Sequence, residues 1–504
     1  MTNQRLLFTR FPAAFWAANT LEIFERMAWY GFYAVSSLYL TGSRASGGLG
    51  LTSEDRGVIQ GIVTFLLYLF PAVFGALADR YGYKRMFIAS FAVMVPGYLL
   101  LGQATDFWSF LGIYTFVAIG HGMFKPVVIA TVAKTTNAET GTLGFGIFYM
   151  MVNVGGFLGP AVAGVVRGWG WDKVFYFSAL WALINVVLAA VLYREPGRGE
   201  GTPSTRTMRE VLGGMVSVVG NFRFFTLVAG LLVLLVMGSR WLPFDRVGLY
   251  ALVWVAANLL VDVIVRARWA GWEQLPFLRQ PAMRIGDGRY MLFLLLMAGF
   301  WTSFNQLFIT VPEYIRDYTN TDGIVASLAA VGIDLRSAGA TVFDHGKIKP
   351  EYLINLNAAG IIVFQVLVSI LARKLKAFTT IVSGIVITIV SFLVFLGGAE
   401  GWMVVAAILI FSFGEMMASP KSKEYAGRIA PPDKVGMYMG YFFWCVALGN
   451  LFGGLLSGRA YGYFGPQGIN RPEIMWWIFA GLAGLTAVSL LAYDRWVGAH
   501  STRS

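Results

Sequence analysis

The sequence contains few charged residues and almost no cysteine. Charged side chains make up 13% of the 504 residues, whereas 57% of the residues are hydrophobic and the mean hydropathy is +0.64. Soluble chains carry about 25% charged residues, so this composition excludes a soluble globular protein. The single cysteine, Cys445, excludes an intrachain disulfide and a metal site built of cysteines.

Motifs for chemical catalysis are missing as well. The sequence has no Ser–His–acid order, no metal-ligand cluster and no glycine-rich phosphate loop that ends in Lys-Ser or Lys-Thr. It therefore predicts a protein that is not an enzyme, binds no metal and needs no cofactor. Without a phosphate loop, ATP is excluded as an energy source within the chain. The energy source that remains is an ion gradient, and buried carboxylates can take up protons from a proton gradient.

Long apolar segments dominate what is present. Segments of this length cross a bilayer as helices. Six lie in the first part of the chain, six in the last part and two between them, which predicts an all-α polytopic membrane protein of fourteen helices. The segments run at about 15–41, 53–79, 84–104, 107–134, 140–166, 171–194, 222–242, 246–266, 287–312, 350–373, 377–398, 401–428, 433–459 and 472–494.

The order of the segments divides the chain into three parts. We expect an N-terminal six-helix bundle over residues 1–194, a linker with two extra transmembrane helices over 195–286, and a C-terminal six-helix bundle over 287–504. Residues 195–207 are rich in Pro, Gly, Ser and Thr, which is typical of a flexible linker. The polar segment 316–348 is long enough to carry short structure of its own.

Basic residues indicate the orientation in the membrane. An even number of spans puts both chain ends on one side, and Lys and Arg cluster in alternate loops that the positive-inside rule makes cytoplasmic. The net charge of +12 is then mostly a topological signal and not a sign of nucleic-acid binding. We expect a multi-pass plasma-membrane protein, embedded in the lipid bilayer, with both termini cytoplasmic. The clusters are Arg80, Lys84 and Arg85; 194–209; 266–289; and Arg373, Lys374 and Lys376.

Charges inside the first apolar segment carry the strongest functional signal. Glu22, Glu25 and Arg26 lie on one face of the predicted helix. A charge at the bilayer centre costs about 2.5–3.5 kcal/mol, so three charges on one face indicate a polar interior. The pattern predicts a proton or substrate pathway, and a plain Glu–Arg clamp between helices is the alternative interpretation.

Several motifs, in order along the chain, resemble those of the proton-dependent oligopeptide transporter family, a branch of the major facilitator superfamily. The resemblance extends over both halves of the sequence. The motifs are Glu22-x-x-Glu25-Arg26 with Tyr30-Gly31, Tyr68 with Pro71, Gly120-x-Gly122-x-x-Lys125-Pro126, Phe148-Tyr149 with Asn153, Phe300-Trp301 with Gln306, Pro350-Glu351 with Asn357, and Glu415 with Ser419-Pro420.

The resemblance implies a major facilitator fold of six plus six helices with two inserted helices. It also implies a proton-coupled symporter of the bacterial inner membrane that imports di- or tripeptides by alternating access. The expected partners are a small peptide or peptide-like substrate, protons and lipid, with no nucleic acid, and we expect a monomer. A major facilitator transporter of another zwitterionic or anionic small molecule, including an exporter, is the alternative. A sensor or scaffold that no longer transports is a further one, although idle buried charges would cost stability.

The same resemblance assigns roles to individual residues. The proton-coupling group is Glu22, Glu25, Arg26 and Lys125. The substrate-binding group is Arg26, Tyr30, Tyr68, Lys125, Asn153, Trp301, Asn357 and Glu415. Glu415, with no charge near it on its own helix, would bind the substrate ammonium, and Lys125 with Arg26 would bind the carboxylate.

Three of the polar residues also have plainer interpretations. Lys125 would in one case extend to the membrane interface, and Asn153 would in another form an interhelical hydrogen bond. His121, one turn before Lys125, is either a proton carrier or a hydrogen-bonded core histidine.

The loop after the second predicted helix resembles the cytoplasmic loop motif of the superfamily. Asp79 ends the helix, and Arg80 and Arg85 face the cytoplasm in this interpretation. A charge relay between neighbouring helix ends would hold one conformation of the transporter. A topogenic loop with ordinary helix caps is the alternative.

The sequence departs from the family pattern at an expected gate. Tyr33 stands where many bacterial members carry Arg, and Asn305 stands where the family has an acid; in the family these two residues pair across the halves on the extracellular side. The absence of both charges is consistent, because either charge alone would be buried without its partner, at a cost of several kcal/mol. We therefore predict a gate held by neutral contacts, in the simplest form a hydrogen bond between Tyr33 and Asn305. Lys421 is a further departure, and it leaves the substrate class open.

Overall fold

The protein is almost entirely α-helical. The computed structural model describes residues 11–137, 140–196, 220–269, 271, 275, 279–372, 375–431 and 435–501. Within them the helices are α1 (Ala13–Thr41), α2 (Ser53–Tyr81), α3 (Tyr83–Leu101), α4 (Phe107–Lys134), α5 (Gly141–Arg167), α6 (Trp171–Val191), α7 (Phe222–Arg240), α8 (Phe244–Arg268), α9 (Gly288–Phe304), α10 (Gln306–Ile309), α11 (Val311–Asp317), α12 (Asp322–Ala330), α13 (Pro350–Ile354), α14 (Leu356–Ala372), α15 (Ala377–Val394), α16 (Gly401–Ile429), α17 (Val435–Phe464) and α18 (Pro472–Ser501).

All fourteen predicted segments coincide with helices. Eleven of the described helices are long and apolar enough to cross a membrane by length and composition. The other three predicted spans are α1 and α2, which carry charged residues, and α7, whose apolar stretch Phe222–Gly238 is shorter. Most of the predicted flexible linker, 195–207, lies outside the described residues, which resume at residue 220.

Two spans are broken into shorter helices. Residues Gly288–Asp317 form α9, α10 and α11 in succession, and Pro350–Ala372 form α13 and α14. At the first break, the side-chain amides of Asn305 and Gln306 donate to the carbonyls of Trp301 and Thr302 at 3.0 and 2.9 Å. The Trp301 carbonyl also accepts the Asn305 backbone N–H at 3.0 Å, so the backbone near the break stays hydrogen-bonded, as a membrane interior requires.

The polar segment after α11 has structure of its own, as expected. It contains α12, a 3₁₀ segment over Leu335–Thr341 and a hairpin of β1 (Phe343–Asp344) and β2 (Lys347–Ile348). The strands pair antiparallel, with Phe343 opposite Ile348.

The start of α1 and the end of α18 lie on one face of the bundle. Arg316 of α11 donates to Thr41 at the end of α1 at 2.9 Å, so α1 and the α9–α11 span run in the same direction. Tyr493 near the end of α18 donates to the carbonyl of Arg289 at the start of α9 at 3.0 Å. We call the face where α1 begins and α18 ends the terminal face. The opposite face, which carries α12 and the hairpin, is the distal face.

The extra helices α7 and α8 form a hairpin on the side of the bundle. Trp254 of α8 donates to the carbonyl of Leu227 in α7 at 2.9 Å. The Phe225 ring of α7 contacts Trp444 of α17 at 5.5 Å, and Trp241, just after α7, stacks on Trp108 of α4 at 5.8 Å. The hairpin therefore contacts both halves from outside and leaves the space between them free.

Glycines allow α2 and α17 to pack very closely across the halves. A Cβ added to Gly57 would lie 2.3 Å from the Gly454 carbonyl oxygen, and one added to Gly454 would lie 2.4 Å from the Gly57 carbonyl oxygen. Such close backbone approach is how membrane helices associate without large side chains. These glycines lie near the distal end of both helices, so the halves are closed on that face.

Candidate functional site

The charged residues of α1 form one buried network with α4. Arg26 donates from Nε and Nη2 to the two carboxylate oxygens of Glu25, at 2.5 Å each. Lys125 of α4 donates to Glu22 Oε1 at 2.6 Å, and Arg26 Nε lies 3.4 Å from the same oxygen. The structure thus brings together all four residues predicted for proton coupling. The Glu–Arg pair itself lies within α1, and the Lys125–Glu22 bond links the helices.

His121 extends this network to α3. Its Nδ1 lies 2.5 Å from Glu25 Oε1, and its Nε2 lies 2.8 Å from the hydroxyl of Tyr98. The Trp29 ring packs edge-on against the imidazole at 4.8 Å. Both ring nitrogens are therefore engaged in a fully buried site, which is the geometry of a hydrogen-bonded core histidine. The same contacts place an imidazole directly against one of the proton-coupling carboxylates.

The two carboxylates of α1 differ in how they are engaged. Both oxygens of Glu25 have partners, because Arg26 binds both and His121 binds one. Within the described residues, Glu22 Oε2 is buried without a hydrogen-bond partner. An uncompensated buried oxygen is a costly feature. A proton added there would break no existing contact.

A cavity of about 90 Å³ lies between the two halves of the molecule. Helices α1 and α5 contribute one wall, and α9, α10, α13, α14 and α16 contribute the other. Four of the eight predicted substrate-binding residues line this cavity, namely Tyr30, Asn153, Asn357 and Glu415.

Glu415 is positioned in the cavity by α14. Asn357 Nδ2 donates to Glu415 Oε2 at 2.9 Å and to the hydroxyl of Ser412 at 3.0 Å. Within the described residues, no hydrogen bond engages the second oxygen of Glu415. A carboxylate with one oxygen fixed and one free is suited to bind a cationic group of a ligand.

The other predicted substrate-binding residues do not line this cavity. Arg26 and Lys125 are engaged by Glu25 and Glu22. The Tyr68 ring stacks on Phe443 of α17 at 6.3 Å. Trp301 is buried against α17, where a Cβ added to Gly449 would lie 2.3 Å from the Trp301 Cβ.

Asn153 uses its amide within its own helix. Its Nδ2 donates to the carbonyl of Tyr149 at 2.8 Å. In the part of the chain that the structure describes, no interhelical hydrogen bond of Asn153 is present, so the plainer interpretation of this residue is wrong.

Lys423 corrects the expectation that Glu415 has no charge near it on its own helix. Lys423 lies eight residues further along α16 and interacts electrostatically with both Glu415 and Lys125. The second lysine of this stretch, Lys421, pairs with Glu424 at 2.8 Å.

The predicted hydrogen bond between Tyr33 and Asn305 is wrong. The Asn305 amide donates to Trp301 at the break between α9 and α10. Within the described residues, the buried Tyr33 hydroxyl has no hydrogen-bond partner. The Tyr33 ring packs instead against Trp29 at 5.3 Å and Phe308 at 6.4 Å. The Asn305 amide nitrogen points back to its own helix and the Tyr33 ring lies among aromatic side chains, so the two side chains are not paired.

Charged residues, and not neutral contacts alone, join the halves at the distal face. Arg56 in the first turn of α2 donates to Glu313 of α11 at 2.6 Å and to Ser457 of α17 at 2.7 Å. The side chains of Arg56 and Glu313 are both fully buried. The expectation of a neutral gate is therefore wrong, because a buried ion pair forms at other positions.

A second charged contact joins α5 to the C-terminal half on the same face. Arg167 donates from Nε to Glu351 at 2.9 Å and from Nη1 to Asp344 of the hairpin at 2.8 Å. Lys349 donates to the carbonyl of Gly164 at 2.6 Å, and burial lowers the pKa of this lysine. The distal face is thus closed by at least two sets of charged contacts.

Sequence reasoning missed Arg56, Glu313 and Arg167 as inter-half contacts. Each lies within a turn or two of the end of its span, where flanking charges are ordinary. Glu351 was noticed only as part of a motif. Glu313 gave a weak signal. It lies just beyond 312, the predicted end of its span, whereas the helical span in the structure, Gly288–Asp317, includes it.

The cytoplasmic loop motif lies at the terminal end of α2. Arg80 and Arg85 are exposed there, and the Arg80 guanidinium lies 5.6 Å from the Tyr81 ring centroid. Asp79 belongs to α2, but its side chain lies outside the described residues.

Two helical bundles with a cavity between them, closed on one face by contacts between the bundles, have the architecture of a secondary transporter. The sequence matches the Major Facilitator Superfamily over residues 20–349 and 351–500. The chain belongs to this superfamily. It is a membrane transporter and not an enzyme.

Similar proteins point to one branch of the superfamily. The peptide transporter YePEPT of Yersinia enterocolitica subsp. palearctica serotype O:3 (strain YE-P4) is 24% identical over 479 residues, covering 87% of this chain and 86% of that protein. A crystal structure of the peptide transporter POT in complex with sulfate has 20% identity and a TM-score of 0.67, covering 97% and 95% of the two chains. A POT family transporter in complex with 5-aminolevulinic acid has 19% identity and a TM-score of 0.66, covering 95% of each chain. These findings confirm the resemblance of the motifs, and the two structures confirm the fold.

Proposed function

We propose that the protein is a proton-coupled symporter that imports di- or tripeptides by alternating access. The observation that carries this proposal is Glu415, which presents a free carboxylate oxygen to a cavity between the halves. An amino terminus carries the ammonium that such a group binds. The names of the relatives, which include peptide transporters, support the same substrate class.

The closed distal face supports a transport cycle of alternating access. The cavity of about 90 Å³ lies between the two halves, so a movement of one half against the other changes its size and its access to either face. Because the distal face is closed by ion pairs, the separation that admits or releases substrate in this conformation is on the terminal face.

Proton coupling rests on the network around α1 and needs no cofactor beyond a proton gradient. A proton on Glu22 removes the charge that holds Lys125, and a proton on Glu25 removes the charge that holds Arg26. Either event frees a cation to change partner, which changes how α1 and α4 are linked.

We place the protein in the bacterial inner membrane as a monomer with both termini cytoplasmic. The terminal face carries the exposed Arg80 and Arg85, in agreement with the positive-inside rule. In this orientation the distal face is extracellular.

The decisive test is uptake by the purified protein in liposomes under an imposed pH gradient, acid outside. Labelled dialanine should accumulate above its external concentration, and a proton ionophore should abolish the accumulation. A matched set of liposomes without a gradient should reach only equilibrium. Absence of dialanine uptake in the presence of the gradient would contradict the proposal.

A transporter of another zwitterion is the second candidate. It is favoured by the departure at Lys421 and Lys423 and by the fold shared with a POT family transporter that binds 5-aminolevulinic acid. Competition of unlabelled amino acids and peptides against dialanine separates the two candidates. A scaffold without transport activity would show no uptake of any of these compounds.

A further inference from the structure

His121 is a buried titratable residue outside the four-residue proton-coupling group. Its side chain is fully buried between α1, α3 and α4. The charged and titratable groups that face it are Glu25 and Arg26 of α1, Tyr98 of α3 and Lys125, which lies one turn further along α4. The imidazole therefore lies where three helices meet the proton-coupling network.

The two hydrogen bonds of the imidazole determine which nitrogen carries its hydrogen. A neutral imidazole has one N–H donor and one acceptor nitrogen. Nδ1 lies 2.5 Å from Glu25 Oε1, a carboxylate oxygen that also accepts an N–H of Arg26, so Nδ1 carries the hydrogen. Nε2 then accepts the hydroxyl hydrogen of Tyr98 at 2.8 Å. The Tyr98 hydroxyl thus fixes the tautomer in which His121 donates to Glu25.

Glu25 accepts three hydrogen bonds. Arg26 donates to each of its two oxygens, and His121 donates to one of them. Donors around a carboxylate favour its ionised form, and a proton on Glu25 would weaken all three contacts. The surroundings therefore hold Glu25 as an anion.

Glu22 differs in this respect. Its Oε1 accepts a hydrogen bond from Lys125, whereas its Oε2 is buried without a partner among the described residues. A proton can bind to Oε2 without displacing a donor. Of the two carboxylates on α1, Glu22 is thus the one that is open to a proton.

We propose that His121 and Tyr98 are positioning residues of proton coupling, which keep Glu25 ionised so that the coupled proton binds to Glu22. This inference rests on the proposed proton-coupled transport and narrows its proton site from two carboxylates to one. The proton forms an O–H bond at Glu22 Oε2 and removes the charge that holds Lys125, while the other ion pair of α1 stays intact.

Infrared difference spectra of the purified full-length protein on acidification test the inference, because a protonated carboxyl group has an absorption band of its own. In the wild type, acidification should produce a band that Glu22→Gln reduces and that Glu25→Gln does not reduce. In His121→Gln the band should gain a second component, comparable in intensity to that of Glu22. Adding Glu25→Gln to His121→Gln should remove this component again.

His121→Asn is the matched variant. Counted in bonds from Cα, the Asn amide nitrogen occupies the position of Nδ1, toward Glu25, whereas the Gln amide nitrogen occupies that of Nε2, toward Tyr98. Both variants keep a buried amide, and only His121→Gln removes the donor to Glu25. His121→Asn should therefore give the wild-type band, which a general effect of replacing a core histidine would not.

Tyr98→Phe tests the second positioning residue. Without the hydroxyl at Nε2, the tautomer of His121 is no longer fixed, so a weaker form of the Glu25 component should appear. Tyr114→Phe is the control, because it removes a buried hydroxyl that has no partner among the described residues, while its ring still packs on Trp29. It should give the wild-type band.

Two results would overturn the inference and leave the proposed transport untouched. One is a His121→Gln spectrum without a Glu25 component. The other is a wild-type band that Glu25→Gln reduces, since Glu25 then takes up a proton with His121 in place. If the bands change as expected and liposomes show no proton-driven uptake of dialanine, the proposed function fails, while the assignment of the proton to Glu22 is supported.

Discussion

Three carboxylates near the centre of the protein, the buried Glu22 and Glu25 and the half-buried Glu415, differ in the number of oxygens that are engaged. Glu25 uses both oxygens, whereas Glu22 and Glu415 each have one oxygen without a hydrogen bond among the described residues. An oxygen without a partner can take up a proton or bind a ligand without losing a contact, and a lost contact of a buried group costs about 1–3 kcal/mol. The free oxygens therefore support the proposed roles of Glu22 in proton uptake and of Glu415, which lines the cavity, in substrate binding.

Glu415→Gln should weaken binding of dialanine far more than binding of N-acetyl-dialanine. Glutamine keeps the hydrogen-bond geometry with Asn357 and removes only the charge that attracts an ammonium. We expect a loss of tenfold or more for dialanine and less than threefold for the acetylated peptide, measured by binding titration. Glu424→Gln is the control, since this acid lies on the same helix and binds Lys421 at its surface. Equal losses for both ligands in Glu415→Gln would exclude an ammonium-binding role.

Glu22→Gln should abolish proton-driven accumulation and preserve counterflow exchange, which needs no net proton movement. The substitution removes the carboxylate that has a free oxygen and leaves the Arg26–Glu25 pair intact. Glu25→Gln should abolish accumulation as well and also lower thermal stability, because it leaves Arg26 and His121 without their carboxylate. Uptake in liposomes and a thermal melt measure the two effects. Accumulation that persists unchanged in both variants would place the proton site elsewhere, with His121 as the next residue to replace.

Tyr33→Phe should leave transport and thermal stability almost unchanged. The hydroxyl that it removes is buried and lacks a hydrogen-bond partner among the described residues, while the ring contacts with Trp29 and Phe308 remain. Removing an unsatisfied buried polar group is neutral or slightly stabilising. A tenfold loss of uptake would show that this hydroxyl has a partner in another state of the cycle.

At the scale of helices and their contacts, the ion pair between α2 and α11 determines how firmly the distal face closes. Arg56 and Glu313 are both fully buried, so the cost of separating them is the loss of their attraction in a site without water. Opening of this face exposes both groups to water, which returns part of that cost. The ion pair therefore stabilises the closed distal face and still allows this face to open.

Glu313→Gln should shift the protein toward the state that is open on the distal face. The variant leaves Arg56 as an uncompensated buried charge, which costs about 3–5 kcal/mol in the closed state. The double variant Arg56→Gln with Glu313→Gln should be closer to wild type than either single variant. The measurement is labelling of Ser37→Cys, a buried distal position, in a Cys445→Ala background with an impermeant thiol reagent. Additive effects of the two substitutions would show that they do not act as a pair.

The contrast between α1 and the distal contacts shows what the sequence allows one to predict. Glu22, Glu25 and Arg26 interrupt an apolar helix, so their periodicity alone indicates a polar face, and their links to Lys125 follow from motifs. Arg56 and Glu313 lie 257 residues apart at the ends of different spans. Their pairing depends on the way two rigid bundles meet, and no local pattern records that arrangement. The Tyr33–Asn305 prediction failed for a related reason, since the break in the α9–α10 helix was not predicted.

For the whole molecule, the contact between α2 and α17 sets the limits of motion between the halves. The helices approach through glycines at their distal ends, whereas Tyr68 and Phe443, nearer the terminal face, are in ring contact at 6.3 Å. A rocking motion that opens the distal face must separate the glycine contact first. A larger side chain at that contact would push the two halves apart on the distal side only.

Gly454→Ala should hold the distal face open and reduce uptake at least tenfold. The new Cβ would meet the Gly57 carbonyl oxygen at 2.4 Å, so the closed arrangement cannot form without a shift of backbone. Gly440→Ala, on the same helix, is the control because its Cβ would meet nothing within 4 Å. Both substitutions bring the same gain in helix propensity, ~0.5–1 kcal/mol, and so differ only in the contact between halves. We expect faster labelling of Ser37→Cys in Gly454→Ala and wild-type labelling and uptake in Gly440→Ala. If both alanine variants transport normally, the glycine contact is not part of the closed state that the cycle uses, and closure of the distal face then rests on its polar contacts, among them those of Arg56 and Arg167.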